Sequence, residues 1–245
     1  MSDFPTITPY GDNTPKKDQV AEMFNRIAFR YDFLNHFLSL GIDKIWRKRA
    51  IAAIPRQRPL LVLDVATGTG DLALDALEKE GIQIIGVDIS PGMLKIADQK
   101  IKIRGVKKLF RVEIGDSEEL KFESDHFDVV MVAFGVRNFE NLEKGLKEIL
   151  RVLKPGGKII VLEFSKPTAA PFKQVYNFYF EHILPAFGKK ISKDAKAYEY
   201  LQKSVLNFPD GTGFTSILDS LGYRNTNFRP LSLGICTLYT ANKIE

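Results

Sequence analysis

A strand that runs into a glycine turn and then a helix is predicted by the sequence Val62-Leu63-Asp64-Val65-Ala66-Thr67-Gly68-Thr69-Gly70-Asp71. Glycine lets the backbone turn sharply and approach a ligand closely. Ligands of open α/β sheets bind at the carboxyl ends of the strands, where such turns lie. The segment therefore predicts a binding site at the first strand-to-helix turn of an α/β domain.

The next apolar run along the chain ends in an acidic residue. It reads Ile84-Ile85-Gly86-Val87-Asp88, which is typical of a buried parallel strand with a carboxylate at its C-terminal tip. Such a carboxylate can accept hydrogen bonds from the two hydroxyls of a ribose. Together the two segments predict a site for a cofactor that contains a nucleoside.

Length and composition are those of a folded protein without an internal disulfide. The chain has 245 residues, of which 44% are hydrophobic, so it can bury a substantial core. Its single cysteine, Cys236, excludes an internal disulfide and suits a reducing compartment. No secretory signal is evident and no apolar run approaches about 18 residues, so we expect a cytoplasmic protein. The net charge of +5 permits contact with anionic lipid or nucleic acid and requires neither.

Helices are predicted before the first strand, in residues 14–58. Thr14-Pro15 is a favourable helix start, and apolar residues then recur at helical spacing up to Tyr31. A second apolar group ends at Gly41, and a third helix is expected around Trp46. Because this region precedes the nucleotide-binding core, we call residues 14–58 the helical cap.

The central part of the chain, residues 59–166, alternates between strands and helices, which predicts βαβ units and a parallel sheet. The helix after the glycine turn is expected to end at Gly81, and Lys154-Pro155-Gly156-Gly157 is expected to stop the helix before the fifth strand. Strands are expected near residues 60–66, 84–88, 109–114, 128–134 and 158–164.

The last part of the chain breaks this alternation. Residues 167–216 are rich in aromatic residues and lysines and are too long for a simple connector, so we call them the aromatic-basic insert. Residues 217–245 contain two strand-like runs with no crossover helix between them, which predicts an antiparallel hairpin. The whole chain, 1–245, is predicted to be one domain.

The glycine turn by itself fits two kinds of cofactor. With Ala73 it matches the dinucleotide fingerprint of NAD-dependent oxidoreductases. Asp71 would repel a pyrophosphate at the helix N-terminus, unless it is an ordinary acidic residue of a first helical turn. Asp64 and Asp71 instead suit a cofactor with an amino acid ammonium group, and Gly115-Asp116-Ser117 suits the exocyclic amine of an adenine.

The order of these motifs resembles that of class I S-adenosylmethionine-dependent methyltransferases. The resemblance covers residues 59–166 and rests on Asp64-x-x-x-Gly68-x-Gly70, Asp88, Asp116 and Leu153-Lys154-Pro155-Gly156-Gly157. It implies an α/β fold with a Rossmann-like, seven-stranded, mostly parallel sheet and a C-terminal antiparallel hairpin. It also implies S-adenosyl-L-methionine as the cofactor.

A closer resemblance covers nearly the whole chain. The sequence is similar to the quinone-biosynthesis C-methyltransferases, which methylate a ring carbon of demethylmenaquinol or of the corresponding ubiquinol precursor. The similar segments are Met23-Phe24-Asn25-Arg26-Ile27-Ala28, Tyr31-Asp32, Asn35, Ser39-Leu40-Gly41, Trp46-Arg47, Phe134-Gly135-Val136-Arg137-Asn138, Leu162-Glu163-Phe164-Ser165 and the Tyr198-Leu201-Ser204-Phe208 pattern.

The resemblance also implies which residues contact the cofactor. Some relatives have a serine in the fourth strand where this chain has Ala133, which leaves only a backbone contact at that position. The expected cofactor-binding residues are Thr67, Asp88, Asp116 and Ser117, together with Asp64, Gly68 and Gly70 around the glycine turn.

The implied reaction transfers a methyl group to an aromatic carbon, which is electron-rich in the reduced quinol. Arg137, just past the fourth strand, is predicted to stabilise the phenolate or to orient a water that accepts the ring proton. Asn138 would help to orient Arg137, and Tyr31 of the helical cap would hydrogen-bond the substrate oxygen. The alternatives are structural: Arg137 would pair with an acid such as Glu140, and Tyr31 would be a core residue.

Demethylmenaquinol is the predicted substrate, and the benzoquinol of the ubiquinone pathway is the alternative. Aromatic residues of the insert are expected to line a channel for the polyprenyl tail, or else to belong to the core or a dimer interface. Basic residues of the cap and the insert are expected to rest on anionic lipid, at the inner face of the cytoplasmic membrane. RNA methylation and an NAD-dependent reaction are remote alternatives, and neither a metal site nor a nucleic-acid partner is predicted.

Overall fold

The structure is a computed structural model that describes residues 7–39, 41–57, 59–174 and 195–244. Seven strands form one sheet in the order β3-β2-β1-β4-β5-β7-β6. Strands β1 to β5 are parallel, whereas β7 runs antiparallel to both β5 and β6. The predicted sheet and its C-terminal hairpin are confirmed. The strands are β1 (Leu60–Val65), β2 (Ile82–Asp88), β3 (Phe110–Ile114), β4 (Phe127–Ala133), β5 (Leu153–Phe164), β6 (Arg224–Leu231) and β7 (Cys236–Asn242).

Helices cover both faces of the sheet. Alternate strand residues pack on α5 and α7 on one face and on α2, α3 and α4 on the other, so the strand sequences are apolar almost throughout. Helix α1 packs outside this core, where Val20 and Met23 contact Tyr200 of α6. The helices are α1 (Lys16–Leu38), α2 (Asp43–Ala52), α3 (Asp71–Ala76), α4 (Pro91–Arg104), α5 (Leu142–Val152), α6 (Ala195–Asn207) and α7 (Thr212–Ser220).

Two predicted boundaries are wrong. Helix α3 ends at Ala76 rather than at Gly81. Leu77 still packs against the core, and the polar residues 78–80 then form a turn before β2. Strand β5 begins at Leu153, five residues earlier than expected. The predicted stop segment joins the sheet instead, since Gly156 N–H donates to the Lys243 carbonyl and Lys243 N–H donates to the Gly157 carbonyl.

The direction of the connections reverses between β1 and β4. From β1 the chain moves outward through β2 and β3, and β4 then pairs on the other side of β1. Ligands of open α/β sheets bind at such a switch point, outside the carboxyl ends of the strands. Each of the two strands is followed there by a left-handed residue, Ala66 with φ 54° after β1 and Phe134 with φ 57° after β4. A non-glycine residue in this region is strained, and such strain clusters at functional sites.

Helix α1 crosses this crevice and is fastened along its length. At its start, the Lys16 ammonium donates to the carbonyls of Arg137 (3.2 Å) and Phe139 (2.7 Å). Further along, the Asn25 side chain accepts from Gly92 N–H (2.8 Å). Near its far end, Asp32 accepts from the Thr69 hydroxyl (2.6 Å) and pairs with a lysine of α4. The predicted helical cap therefore includes a helix that spans the ligand-binding edge of the sheet.

Only part of the aromatic-basic insert lies within the described residues. Residues 175–194, which hold Tyr176, Phe178, Tyr179, Phe180 and Phe187, lie outside them, so the predicted tail channel is not described. In the described part, Tyr200 is buried and Phe172 is exposed. None of the described helices is both long enough and apolar enough to cross a bilayer.

We predict that Gly86 of β2 cannot carry a side chain. A Cβ at this position would lie 2.8 Å from the Thr67 hydroxyl and 3.0 Å from the Phe110 ring. Overpacking of this kind costs about 1–3 kcal/mol, so Gly86→Ala should lower the free energy of unfolding by that amount in urea denaturation.

Gly213→Ala is the matched control. A Cβ at Gly213 would meet only Pro209 at 3.4 Å, in a helix where alanine is favoured. Its free energy of unfolding should stay the same or rise by less than about 1 kcal/mol. Equal losses in the two variants would contradict the packing argument.

Candidate active site

A crevice of about 630 Å³, including its open mouth, lies at the carboxyl ends of β1 to β4. This volume is in the range of small-molecule sites. Its walls come from α1 and from the turns that follow the four strands. The lining residues are Lys17, Val20, Phe24, Tyr31, Ala66, Gly68, Asp88, Ile89, Met93, Gly115, Asp116, Ser117, Glu118, Ala133, Phe134, Gly135, Asn138, Phe139 and Glu140.

Asp88 joins the glycine turn to the tip of β2. One carboxylate oxygen accepts from Gly68 N–H (2.8 Å) and the other from Ser90 N–H (2.8 Å). Burial raises the pKa of Asp88 to about 6, although these hydrogen bonds favour the charged form. Each oxygen keeps a second lone pair, so the carboxylate can still accept hydrogen bonds from a ligand in the crevice.

Gly68 is the glycine that opens the crevice. Its φ is +56°, and a Cβ there would have only the Tyr31 ring within 4 Å. Gly70 has a different role, because its φ is +82° and a Cβ would lie 3.1 Å from Phe110, in the protein interior. The first glycine exposes backbone to the crevice, whereas the second allows helix α3 to start against the core.

Asp64 and Thr67 lie beneath the crevice rather than in its wall. The Thr67 hydroxyl donates to the Asp64 carboxylate (2.7 Å), and both side chains are buried. Burial, together with the smaller effect of the Asp88 charge, raises the pKa of Asp64 to about 7 although the Thr67 hydrogen bond lowers it. In this structure the pair supports the glycine turn and does not line the crevice.

Asp116 and Ser117, which are predicted to bind the adenine amine, line the crevice beyond β3. Asp116 accepts from Glu118 N–H (2.9 Å) and from the Lys17 ammonium of α1 (3.2 Å). Lys17 therefore links the start of α1 to this carboxylate.

Arg137 lies outside the residues that line the crevice. Its side chain is 7% exposed and forms an ion pair with Glu163 of β5, with Nη1 2.6 Å from Oε1. Nη1 also donates to the Phe134 carbonyl (2.5 Å), and among the described residues the buried Nε has no hydrogen-bond partner. The alternative that Arg137 pairs with an acid is supported, but the acid is Glu163 rather than Glu140, which accepts from the backbone of Lys16.

Asn138 follows Arg137 in the same turn and lines the crevice. Its amide nitrogen donates to the Phe134 carbonyl (3.3 Å), the same carbonyl that Arg137 contacts, and its oxygen accepts from the Tyr200 hydroxyl (3.1 Å). Tyr31 lines the opposite wall, with its ring against Phe24. The predicted residues Asn138 and Tyr31 thus share one cavity with Asp88, while Arg137 does not line it.

Asp71 does not line the crevice. It pairs with Lys100 (2.6 Å) and lies 3.9 Å from Arg47, so nearby cations compensate its charge. These contacts support the alternative that Asp71 is an ordinary acidic residue of a first helical turn. Asp71 therefore gives no information about the identity of the cofactor.

Three residues that contact the predicted site residues were not predicted from the sequence to belong to the site: Glu163, Lys16 and Tyr200. Glu163 belongs to the segment Leu162-Glu163-Phe164-Ser165. A charged residue inside a buried strand needs a counter-charge, so the sequence did contain a signal for its ion pair. Lys16 and Tyr200 gave no comparable signal, because their contacts lie more than 60 residues away along the chain.

The model of the ubiE/COQ5 methyltransferase family matches residues 13–243. The chain belongs to this family. The predicted methyltransferase activity and the dependence on S-adenosylmethionine are confirmed by this membership. An NAD-dependent oxidoreductase, the alternative that the glycine turn left open, is excluded.

Relatives with assigned activities match over almost their full length. A demethylmenaquinone methyltransferase of Bacteroides fragilis is 44% identical over 238 residues, which are 97% of each chain. A ubiquinone/menaquinone biosynthesis C-methyltransferase UbiE of Geobacter sulfurreducens is 43% identical over 94% of this chain and 90% of its own.

Solved methyltransferases share the fold. The crystal structure of a possible histamine N-methyltransferase of Thermotoga maritima has a TM-score of 0.66 at 19% identity and covers 91% of this chain and 99% of its own. A Haemonchus contortus phosphoethanolamine N-methyltransferase 2, solved with S-adenosyl-L-methionine, has a TM-score of 0.60 at 16% identity and covers 81% of this chain and 53% of its own. At these identities the likeness supports the fold alone.

We predict that Glu163→Gln destabilises the protein strongly. It would leave the buried guanidinium of Arg137 without a counter-charge, which costs about 3–5 kcal/mol. Adding Arg137→Met removes that charge, so the double variant should recover most of the loss in urea denaturation.

Glu22→Gln is the control, because it breaks an exposed ion pair with Arg26 in α1. Exposed pairs contribute at most about 1 kcal/mol. If Glu163→Gln cost no more than Glu22→Gln, the Arg137–Glu163 pair would not be the buried interaction described above.

Proposed function

We propose that this chain methylates a ring carbon of a polyprenyl quinol, with demethylmenaquinol as the preferred substrate. The observation that carries the proposal is the 44% identity to a demethylmenaquinone methyltransferase over 97% of both chains. The alternative substrate is the benzoquinol precursor of ubiquinone, which is favoured by the similarity to relatives named for both pathways.

We infer that the cofactor lies along the crevice from Asp88 to Asp116. The Asp88 carboxylate would accept the ribose hydroxyls, and Asp116 with Ser117 would bind the adenine amine. The absence of a Cβ at Gly68 leaves room for close approach to the backbone. Asp64, Thr67 and Gly70 would act by holding the glycine turn rather than by touching the cofactor.

S-adenosylmethionine supplies a methyl group on a sulfonium, and the protein must present an electron-rich ring carbon to it in line. Alignment of the reacting atoms at about 3–3.5 Å can lower the barrier by about 7–11 kcal/mol. Tyr31 and Asn138 line opposite parts of the cavity and can hydrogen-bond the quinol oxygens. Phe134 also lines the cavity and can supply an apolar contact for the ring.

Arg137 would act on the phenolate as a hydrogen-bond donor rather than as a net positive charge. Glu163 compensates the charge of its guanidinium, yet Nε keeps a hydrogen for which the described part of the chain offers no acceptor. A preorganised donor out of water can stabilise an oxyanion or hold the water that takes the ring proton. Because Arg137 does not line the crevice in this structure, its contact with a phenolate requires the turn of residues 134–138 to shift when substrate binds.

Cofactor affinity should fall in acid, because Asp88 must be ionised to accept two hydroxyls. With a pKa of about 6, lowering the pH from 8 to 5 should weaken binding about tenfold by proton competition. Titration calorimetry between pH 5 and pH 8 measures the change.

Asp88→Asn is the control for this pH dependence. It should bind weakly at every pH and flatten the profile, while Asp125→Asn, far from the crevice in an exposed turn, should follow the unmodified protein. An unmodified protein whose affinity is constant from pH 5 to pH 8 would refute the assignment of Asp88.

The substrate is tested by transfer of label from S-adenosylmethionine to short-tailed demethylmenaquinol and to the benzoquinol analogue, each reduced and oxidised. We expect label in the reduced naphthoquinol alone. Arg137→Ala should lower this transfer about 100-fold or more, as for loss of an oxyanion donor. The double variant Glu163→Gln/Arg137→Met, which leaves no unpaired buried charge, should lower it as much with cofactor affinity intact.

Label in both quinols would mean one enzyme for two pathways. No label in any quinol, with cofactor binding demonstrated, would refute the quinol proposal and turn the search to RNA. Unchanged transfer by Arg137→Ala would refute its catalytic role.

A polyprenyl substrate resides in lipid, so we also propose that this enzyme works in the cytoplasm at the membrane surface. Its excess of basic residues, +5 overall, is consistent with an anionic leaflet.

A further inference from the structure

The loop between β6 and β7 turns an aliphatic side chain toward solvent. Ser232, Leu233 and Gly234 have φ values of 45°, 60° and 92°, and Leu233 is 59% exposed. A leucine in the left-handed region is strained. Its exposure means that burial within the chain does not compensate this strain.

Two hydrogen bonds hold the loop in this conformation. The Ser165 hydroxyl donates to the Gly234 carbonyl (2.8 Å), and the Trp46 indole of α2 donates to the Ser232 hydroxyl (2.8 Å). The loop is therefore fixed against α2, and their exposed residues belong to one surface.

The exposed side of α2 has an aliphatic residue surrounded by cations. Ile45 is 57% exposed, and Lys44, Lys48 and Arg49 beside it are exposed as well. No ion pair involves these three cations within the described part of the chain. The one acidic residue of residues 42–57, Asp43, is buried and paired with Arg47.

Strand β6 extends the same charge pattern. Residues 224–235 contain no acidic residue, and Arg229 is exposed. Arg229 alternates in phase with Leu231, which packs in the same cluster as Trp46, so it faces the α2 side of the sheet. We define the basic-aliphatic face as Lys44, Ile45, Lys48, Arg49, Arg229 and Leu233.

This face lies at the ligand-binding edge of the sheet. Cys236, at the start of β7, pairs with Phe164 at the carboxyl end of β5, so the loop of residues 232–234 borders that edge. A series of aromatic contacts connects α2 with Arg137. Trp46 contacts Phe164 and Phe134 (6.1 Å between centroids in each case), and the Arg137 guanidinium lies 5.4 Å from the Phe164 ring.

We propose that the basic-aliphatic face docks on a bilayer with anionic headgroups, with Ile45 and Leu233 inserted and the cations at the phosphates. This inference rests on the proposed function, because a lipid-borne quinol must reach the edge of the sheet that binds the cofactor. Aliphatic insertion together with surface cations is the combination that binds interfaces reversibly.

A second exposed group provides a control. Ile103 is 85% exposed and Leu109 44%, near Lys107 and Lys108. These residues precede β3 and lie at the amino edge of the sheet, away from the crevice. Docking through them would turn the active site away from the lipid.

The test is co-sedimentation of the full chain with vesicles of phosphatidylcholine, with and without phosphatidylglycerol, in the absence of cofactor and quinol. The double variant Ile45→Gln/Leu233→Asn should bind vesicles at least tenfold more weakly, with asparagine chosen because it tolerates positive φ. Lys48→Glu/Arg49→Glu should lose the preference for phosphatidylglycerol, and added salt should have the same effect. Ile103→Gln should bind like the unmodified protein.

Loss of binding in Ile103→Gln alone, or failure of the unmodified protein to bind, would overturn the proposal. Sedimentation equilibrium in which the unmodified protein is a dimer and the double variant a monomer would also overturn the proposal, because the face would then contact a second copy. Since this assay contains no quinol, it is independent of the proposed reaction.

Turnover distinguishes docking from catalysis. The double variant should methylate a short-tailed quinol in solution at the normal rate and a long-tailed quinol in vesicles at least fivefold more slowly. An equal loss with both substrates would mean damage to the active site and would also overturn the proposal.

Discussion

The buried ion pair between Arg137 and Glu163 holds the substrate side of this enzyme together. It joins the end of β5 to the turn after β4, and through the Phe134 carbonyl it fixes a residue with an unfavourable backbone conformation. Neither charge can be removed alone without stranding the other out of water. The aromatic wall of the crevice and the position of Asn138 both depend on this pair.

The two halves of the site are built in different ways. The cofactor half is local, because Gly68, Asp88 and Ser90 lie within 23 residues and interact through backbone N–H groups. The substrate half is assembled from β4, β5, α1 and α6, whose contacts join residues far apart in the chain. A local unit can be kept constant while distant elements change the substrate, and the shared fold of methyltransferases with different substrates is consistent with this division.

This difference explains how much the sequence alone could predict. The sheet, its hairpin and the crevice residues Asp88, Asp116 and Gly68 follow from apolar runs and turn residues, which are local patterns. Arg137 was predicted to act on the substrate, with pairing to an acid such as Glu140 as the alternative. In the structure it pairs with an acid, Glu163 across a strand pair, which no helical or strand spacing indicates. The start of β5 was missed because Pro155 and two glycines signal a turn, while pairing with the chain end at Lys243 holds them in the sheet.

Helix α1 is tied across the crevice at both ends by groups that water can replace. Lys16 and Lys17 fasten its first turn to backbone carbonyls and to Asp116, and Asp32 fastens its far part to Thr69 and Lys100. Ions in solution weaken the partly exposed pairs of Lys17 and Asp32, whereas the buried contact of Lys16 and the apolar sheet core are much less sensitive to them. Salt should therefore act on the helix that covers the crevice before it acts on the sheet beneath.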